Sequence, residues 1–334
     1  MGILTPIIDN HGRKLDYVRL AVTDRCNLRC FYCMPEEGID YLPKKHLLTY
    51  EEMERLLRVL AGLGIRKVRI TGGEPFLRKD LMPFLRRVKA IEGIEEIHIT
   101  TNGVLTAPFI PELKELDIKS INLSLDSLDR ERFFKITRRD ELARVMDTFY
   151  ALLQHNIRVK INAVVMEGQN TQDIIPLAQL TQQYPVSVRF IEEMPFNGAG
   201  NNHPSLTWSF RRILEELRVA FPDIYKVADT PHATATHYAV PGHLGDIGII
   251  AAYTRTFCGT CNRIRVTAQG GLKTCLYGND VLNIKDILRG GATNEALVSA
   301  FLKAFGNRAY DGYEAEEQHR FLLPVFESMS AIGG

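Results

Sequence analysis

The stretch that decides the fold reads YVRLAVTDRCNLRCFYCMP and covers residues 17–35. Its first seven residues, 17–23, alternate between apolar and polar side chains, as a β-strand does. The strand runs directly into Cys26, Cys30 and Cys33, which are spaced C-x3-C-x2-C. Closely spaced thiolates bind zinc or an iron–sulfur cluster. Because four ligands normally close a structural zinc site, a set of three favours a cluster with one iron free for another ligand.

The size of the chain predicts more than one domain. Its 334 residues exceed what a single hydrophobic core usually fills. We expect one large domain over residues 1–222 and a smaller C-terminal domain over residues 223–334. Apolar residues make up 45% and charged residues 24% of the chain, as in ordinary globular proteins. The formal net charge of +1 argues against nucleic acid or a membrane surface as partner.

The six cysteines of the chain indicate metal binding. Neither a signal peptide nor an apolar run of membrane-spanning length is evident, so we expect a cytoplasmic protein, either a monomer or a homodimer. Cysteines in that compartment serve metal sites or catalysis more often than disulfides. They form two distant triads, listed here in chain order: Cys26, Cys30 and Cys33, then Cys258, Cys261 and Cys275.

Six strand–helix units follow one another in the first two thirds of the chain. We expect strands at residues 17–23, 67–71, 95–101, 119–126, 158–165 and 186–194. Helical patterns with short connections lie between them, beginning with a helix at about 50–63 that Thr49 caps. This order predicts a parallel α/β sheet or barrel.

The register of these strands places polar residues on one common face, because side chains alternate along a strand. That face carries Arg19, Ala21, Thr23, Arg69, Thr71, His98, Thr100, Asn122, Ser124, Asp126, Lys160, Asn162 and Arg189. A sheet with one face in water is the alternative, but right-handed crossovers place all the helices on one side if the sheet curls. We therefore predict an open six-stranded (β/α)6 partial TIM barrel whose polar interior holds a large polar ligand.

The second triad lies in the smaller domain, for which we expect an α+β fold. Cys258 and Cys261 form a C-x2-C pair, and thirteen residues separate Cys261 from Cys275. Zinc is the metal that such a pair usually binds, but two incomplete triads in one chain favour a second iron–sulfur cluster. Arg263 and Arg265 alternate on a strand that leaves this loop, so both point to one side, where guanidinium groups suit phosphate.

A glycine-rich motif follows the second strand, at the end where parallel α/β proteins bind their ligands. It reads Gly72-Gly73-Glu74-Pro75. With the first cysteine loop it resembles the radical S-adenosylmethionine superfamily. The resemblance implies a [4Fe-4S] cluster on the first triad that binds S-adenosylmethionine and cleaves it to a 5′-deoxyadenosyl radical. The positions implied to contact S-adenosylmethionine are Tyr32, Gly73, Glu74, Ser124 and Met194.

A closer resemblance is to the GTP 3′,8-cyclase family of molybdenum cofactor biosynthesis. The matching segments are residues 16–20, 69–75, 100–103, 122–129, 189–192, 257–265 and 333–334. The resemblance implies a second [4Fe-4S] cluster on the second triad that binds the guanine of GTP. It implies GTP contacts from Arg19, Arg69, Thr100, Lys160, Arg263, Ile264 and Arg265. It also implies that the terminal Gly333-Gly334 pair reaches back into the active site.

The reaction implied by this resemblance is the first step of molybdenum cofactor biosynthesis. The radical removes hydrogen from C3′ of GTP, and C3′ then bonds to C8 to give (8S)-3′,8-cyclo-7,8-dihydroguanosine 5′-triphosphate. An electron donor such as flavodoxin or ferredoxin and a downstream cyclic pyranopterin monophosphate synthase are the implied partners.

Two other functions remain open from the sequence. One is a different two-cluster radical S-adenosylmethionine enzyme, such as a peptide maturase. The other is a non-catalytic iron–sulfur or zinc protein, although such a protein has no need of the glycine-rich motif. His232, His237 and His243 are spaced irregularly, which favours surface histidines over a metal site.

Overall fold

The computed structural model describes residues 6–36, 38–39, 41–194, 206–318 and 328–333. Six parallel strands lie within two residues of the predicted bounds, and each pairs with the next in chain order. They are β1 (Tyr17–Ala21), β2 (Lys67–Thr71), β3 (Glu96–Thr101), β4 (Ser120–Ser124), β5 (Val159–Val165) and β6 (Ser187–Glu192).

The C-terminal third adds strands to both edges of this sheet instead of building a sheet of its own. These strands are β7 (Tyr225–Lys226), β8 (Thr236–Ala239), β9 (Asp246–Ile250), β10 (Arg263–Val266), β11 (Gly271–Lys273) and β12 (Leu282–Asn283). Within the described residues the order is β12-β11-β10-β1-β2-β3-β4-β5-β6-β9-β8-β7. The hydrogen-bonded sheet is therefore wider than the six strands predicted from the sequence.

Two parallel contacts join the C-terminal strands to the barrel strands. β9 pairs with β6, and β10 pairs with β1 so that Arg265 lies opposite Arg19. Because β10 starts directly after Cys261, this pairing carries the second cysteine loop to the barrel interior. The sequence pattern does not specify it, since β1 and β10 are about 245 residues apart and only long-range packing sets their register.

Helices connect the strands and cover the apolar face of the sheet. They are α1 (Tyr50–Gly62), α2 (Leu81–Lys89), α3 (Ile110–Glu115), α4 (Arg130–Thr137), α5 (Leu142–Gln154), α6 (Ile174–Gln183), α7 (Phe210–Ala220), α8 (Ile284–Arg289), α9 (Asn294–Phe305), α10 (Gly312–Glu317) and α11 (Met329–Ile332). Their apolar faces and the alternate strand residues, such as Val18, Leu20 and Ile70, form one buried core. Among the described residues, none of these helices combines the length and apolar character needed to cross a membrane.

The first helix begins after Thr49, the N-cap that the sequence predicted, and the structure shows a full capping box there. The Thr49 hydroxyl accepts a hydrogen bond from the Glu52 amide at 3.2 Å, and the Glu52 carboxylate accepts one from the Thr49 amide at 2.7 Å. Both bonds satisfy amide groups that the first helical turn leaves without partners.

Replacing this cap gives a test of the local assignment. Thr49→Ala removes the hydroxyl acceptor and should lower the free energy of unfolding by about 1 kcal/mol. Urea denaturation followed by far-ultraviolet circular dichroism measures the change. Thr49→Ser keeps the acceptor and should retain most of the stability. Equal losses from both variants would contradict a role for the hydroxyl.

Candidate active site

One cavity of about 420 Å³ occupies the barrel interior. This volume lies within the range usual for small-molecule sites. The residues predicted from the sequence that line it are Arg19, Cys26, Cys30, Tyr32, Cys33, Arg69, Gly73, Thr100, Ser124, Lys160, Met194, Cys258, Cys261, Arg263, Arg265 and Cys275. The fold thus brings both cysteine triads and the polar face of the strands to a single space.

Several buried polar atoms on the strand lining have no hydrogen-bond partner among the described residues. They are Arg19 Nε, Thr100 Oγ1, Asn122 Oδ1 and Asn162 Oδ1. A buried polar atom without a partner costs free energy, so native structures rarely retain one. Four such atoms on the wall of one cavity indicate that this space receives a polar ligand.

Positive charge accumulates on the same wall. Burial and the neighbouring Arg189 lower the pKa of Lys160 to about 7. Burial and Arg69 lower the pKa of Arg189 to about 10, and burial and Arg263 lower that of Arg265 to about 10. Cations that depress one another's pKa in this way favour a multiply charged anion between them.

Five cationic residues of the cavity were absent from the predicted site: Arg13, Lys67, Arg189, Lys273 and Arg308. Lys67 and Arg189 line it together with the predicted cations. The strand register already placed Arg189 on the inner face, so the pattern carried the signal for this residue. Lys67 is the first residue of β2. On this strand the inner face predicted from the sequence began only at Arg69, so Lys67 was left out.

The first cysteine triad follows β1 and lines one part of the cavity. Burial raises the pKa of Cys26 to about 12 and that of Cys33 to about 11. Three buried thiols would ionise together only beside compensating positive charge, which the irons of a cluster supply. The donor set therefore fits the [4Fe-4S] cluster that the sequence implied.

The glycine-rich motif packs directly against this loop. A Cβ on Gly73 would lie 2.2 Å from the Arg25 carbonyl oxygen, and one on Gly72 would lie 2.3 Å from that of Thr23. Gly72 also has a φ of +136°, which side chains rarely adopt. Only glycine at both positions permits this contact between the two ligand loops.

Glu74 occupies a different place from the one its predicted role implies. Its carboxylate accepts hydrogen bonds from the Phe76 amide (3.1 Å), the Thr101 hydroxyl (2.8 Å) and the Asn102 amide (2.7 Å). Burial raises its pKa to about 7, and the side chain is fully buried outside the cavity lining. It therefore ties the glycine-rich motif to the end of β3.

A hydrogen bond to Asp126, to which the sequence assigned no role, orients Tyr32. The Tyr32 hydroxyl donates to Asp126 Oδ2 at 2.8 Å, and Asp126 Oδ1 accepts from the Val164 amide at 2.8 Å. Burial raises the pKa of Asp126 to about 6. Asp126 belongs to the predicted inner face, so its position could be inferred from the register although its hydrogen bond could not.

The second cysteine triad lies in a more positive environment than the first. Cys261 Sγ accepts hydrogen bonds from Arg263 Nε at 3.3 Å and from Arg308 Nη2 at 3.2 Å. Although burial raises the pKa of Cys261, the charges of Arg263 and Arg308 bring it down to about 6. Burial raises the pKa of Cys258 to about 11. No sequence motif pointed to Arg308.

The cysteine sulfurs do not converge on one point. Within the part of the chain that the structure describes, no group of three or more His, Cys, Asp or Glu side chains is arranged to hold a single metal ion. A cubane cluster places each thiolate on a different iron, so its ligands need not converge in that way.

The histidines His232, His237 and His243 each bond to a different protein partner.

Three further predicted site residues are Ile264, which lies in the hydrophobic core, and Gly333 and Gly334, which belong to the C-terminal tail. The Ile264 side chain is buried in the hydrophobic core, because it points away from the face that Arg263 and Arg265 share. Gly333 is buried with a φ of +84°, and its carbonyl accepts a hydrogen bond from Arg265 Nη1 at 2.5 Å. Gly334 lies outside the described residues.

Comparisons with known proteins agree with this geometry. Residues 20–181 match the radical SAM superfamily, and residues 186–313 match the molybdenum cofactor synthesis C family. The crystal structure of Streptococcus suis SuiB bound to S-adenosylmethionine is similar in fold, with a TM-score of 0.61 at 17% identity, over 92% of this chain and 68% of that one. The radical SAM partial barrel is thereby supported.

Two curated relatives are similar over most of the chain. Molybdenum cofactor biosynthesis protein 1 of Drosophila melanogaster is 42% identical over 87% of this chain and 51% of its own length. The GTP 3′,8-cyclase of Heliobacterium modesticaldum is 40% identical over 93% of this chain and 96% of its own length. The chain thus spans about half of the animal relative and nearly all of the bacterial one. By the second match, the chain belongs to the GTP 3′,8-cyclase family of the radical SAM superfamily.

Proposed function

We propose that the protein converts GTP into (8S)-3′,8-cyclo-7,8-dihydroguanosine 5′-triphosphate with two [4Fe-4S] clusters and S-adenosylmethionine. The observation that carries the proposal is a cavity lined by both cysteine triads and by a set of buried and half-buried cations. We assign the first cluster to the barrel, residues 1–222, and the second to the C-terminal domain, residues 223–334.

The residues around the first triad hold the cluster and its cosubstrate. Cys26, Cys30 and Cys33 are the cluster ligands, and the backbone of Gly73 offers a close approach to S-adenosylmethionine. When bound and reduced, these groups supply the radical that removes hydrogen from C3′ of GTP. Asp126 fixes the orientation of Tyr32, while Ser124 and Met194 line the adjacent wall.

The cationic wall binds and orients GTP. Arg19 and Arg69 lie on the adjacent strands β1 and β2, and Lys160 and Arg189 lie on the adjacent strands β5 and β6. Their charges match a triphosphate. Thr100 offers a buried hydroxyl that lacks a partner among the described residues. Fixing the triphosphate fixes the ribose relative to the first triad, which is a positioning effect.

The second triad and the tail complete the site. Cys258, Cys261 and Cys275 would hold a cluster whose open iron binds the guanine, with Arg263 and Arg265 beside it. We expect the backbone rather than the side chain of Ile264 to face GTP. The bond from Arg265 to the Gly333 carbonyl supports a role for the tail in orienting that arginine.

The partners are also part of the proposal. An electron donor such as flavodoxin or ferredoxin would reduce the clusters, and a cyclic pyranopterin monophosphate synthase would consume the product. A cytoplasmic location and a monomeric or homodimeric state remain predictions. Peptide modification is the alternative, but the concentration of cations in one cavity of about 420 Å³ favours a nucleotide over a peptide.

The proposed reaction can be followed with labelled substrate. Anaerobically reconstituted protein should bind about eight irons per chain, four in each cubane. With reductant, S-adenosylmethionine and GTP deuterated at C3′, mass spectrometry should find deuterium in 5′-deoxyadenosine and a cyclised nucleotide. Alanine in place of either triad should abolish that product and leave about four irons. Cleavage of S-adenosylmethionine without deuterium transfer would contradict the proposal.

The pKa of Lys160 predicts how GTP binding depends on pH. Since its pKa in the free protein is about 7, Lys160 is protonated below that pH and must take up a proton to bind the anion above it. The affinity should therefore fall by up to about tenfold per pH unit as the pH rises above about 7. Isothermal titration calorimetry with GTP measures both the affinity and the proton uptake.

An arginine at the same position provides the control for this effect. Lys160→Arg keeps a permanent charge and should remove the part of the pH dependence that comes from Lys160. Lys160→Gln should also remove it, at lower affinity. An unchanged pH dependence in both variants would show that another group takes up the proton.

A further inference from the structure

Arg308, in the loop after α9, is bonded through its whole guanidinium group. The residue is 4% exposed. Its Nε donates to the Thr274 carbonyl at 2.9 Å. Its Nη1 donates to the Cys261 carbonyl at 2.8 Å and to Asp9 Oδ2 at 3.2 Å. Its Nη2 donates to the Arg263 carbonyl at 2.9 Å and to Cys261 Sγ at 3.2 Å. These five contacts use all five N–H donors of an arginine.

Arg308 bonds to both chain segments that carry the cysteines of the second triad. The carbonyls of Cys261 and Arg263 belong to the loop that carries Cys258 and Cys261, whereas Thr274 directly precedes Cys275. A single side chain thus fixes the distance between both ligand segments. The rigid planar fork of arginine suits this task, because a lysine presents its donors from a single nitrogen.

Asp9 extends the same network to the third cysteine. Its carboxylate accepts from Arg13 Nε at 2.7 Å, from Arg308 Nη1, and from the amides of His11 and Arg13. Arg13 in turn donates to the Cys258 carbonyl at 3.3 Å. Asp9 is fully buried and is the carboxylate that partners the Arg308 guanidinium among the described residues.

The two triads therefore differ in the charges that face their sulfurs. The hydrogen bonds to the Cys26 thiol come from neutral groups, namely the side-chain amide of Asn102, at 3.6 Å from Sγ, and the backbone of Leu28. Cys261 Sγ instead accepts two hydrogen bonds from guanidinium groups. Hydrogen bonds and positive charge at the sulfurs are what sets the potential of a protein-bound cluster.

We propose that Arg308 is a positioning residue of the second cluster, and that its N–H···S hydrogen bond to Cys261 raises the reduction potential of that cluster. The donated bond and the positive charge withdraw electron density from the sulfur and so stabilise the reduced state. Asp9 acts in the opposite direction, because its negative charge partly neutralises the guanidinium. The inference rests on the proposed function only in that it needs a cluster at the second triad.

The test measures the second cluster alone, in the full-length chain. Alanine at Cys26, Cys30 and Cys33 removes the first site, and anaerobic reconstitution then loads the second. A redox titration followed by electron paramagnetic resonance gives its midpoint potential. In that background, Arg308→Gln should make reduction about tenfold less favourable, equivalent to about 59 mV for one electron.

Two further variants separate the effect on potential from damage to the scaffold. Asp9→Asn removes the neutralising charge and should shift the potential in the positive direction, opposite to Arg308→Gln. Arg13→Gln lies in the same network but bonds to carbonyls and Asp9 rather than to sulfur. It should lower the iron content and, because it removes a charge but no N–H···S hydrogen bond, shift the potential in the negative direction by less than Arg308→Gln does.

The outcomes are distinguishable. No iron at the second triad of the background chain would overturn the two-cluster function itself. A cluster that binds, but with the same potential in Arg308→Gln as in the background chain, would overturn the role of Arg308. If Arg308→Gln does not retain a cluster, Asp9→Asn decides, and a negative or absent shift in that variant would overturn the proposal.

Discussion

The parallel pairing of β1 with β10 is the contact on which the site depends. Each strand adjoins a cysteine loop, since β1 leads into the first triad and β10 leaves the second. Their common register brings Arg19 opposite Arg265 and turns both side chains into the barrel. Without this pairing the two triads would belong to separate ligand sites.

The polar lining of the barrel interior favours a charged ligand but lowers the stability of the folded chain when no ligand is bound. Cations such as Lys160 and Arg189 lie half-buried on neighbouring strands, and desolvation together with their mutual repulsion lowers their pKa values. Polar atoms such as Arg19 Nε and Asn122 Oδ1 lack partners within the described residues. Such features destabilise a folded chain unless a ligand compensates them. A polyanion bound at this wall would therefore also stabilise the fold.

Supporting residues divide the cavity into two environments. Around the first triad, buried carboxylates orient neighbouring groups: Glu74 ties the glycine-rich motif to β3, and Asp126 holds Tyr32. Around the second, guanidinium groups contact sulfur and the ligand-bearing backbone. The two triads therefore lie in different electrostatic surroundings within the same barrel.

The sequence by itself determined the strand–helix order, the inner face and the two triads, because side-chain alternation and cysteine spacing are local properties of the chain. It also placed Arg189 and Asp126 on the inner face, although it assigned them no role. Only the tertiary structure decided that β9 and β10 extend the barrel sheet, that Glu74 and the Ile264 side chain lie outside the cavity, and that Arg308 reaches Cys261. These depend on contacts between segments far apart in sequence, where packing and burial rather than local pattern select the partner.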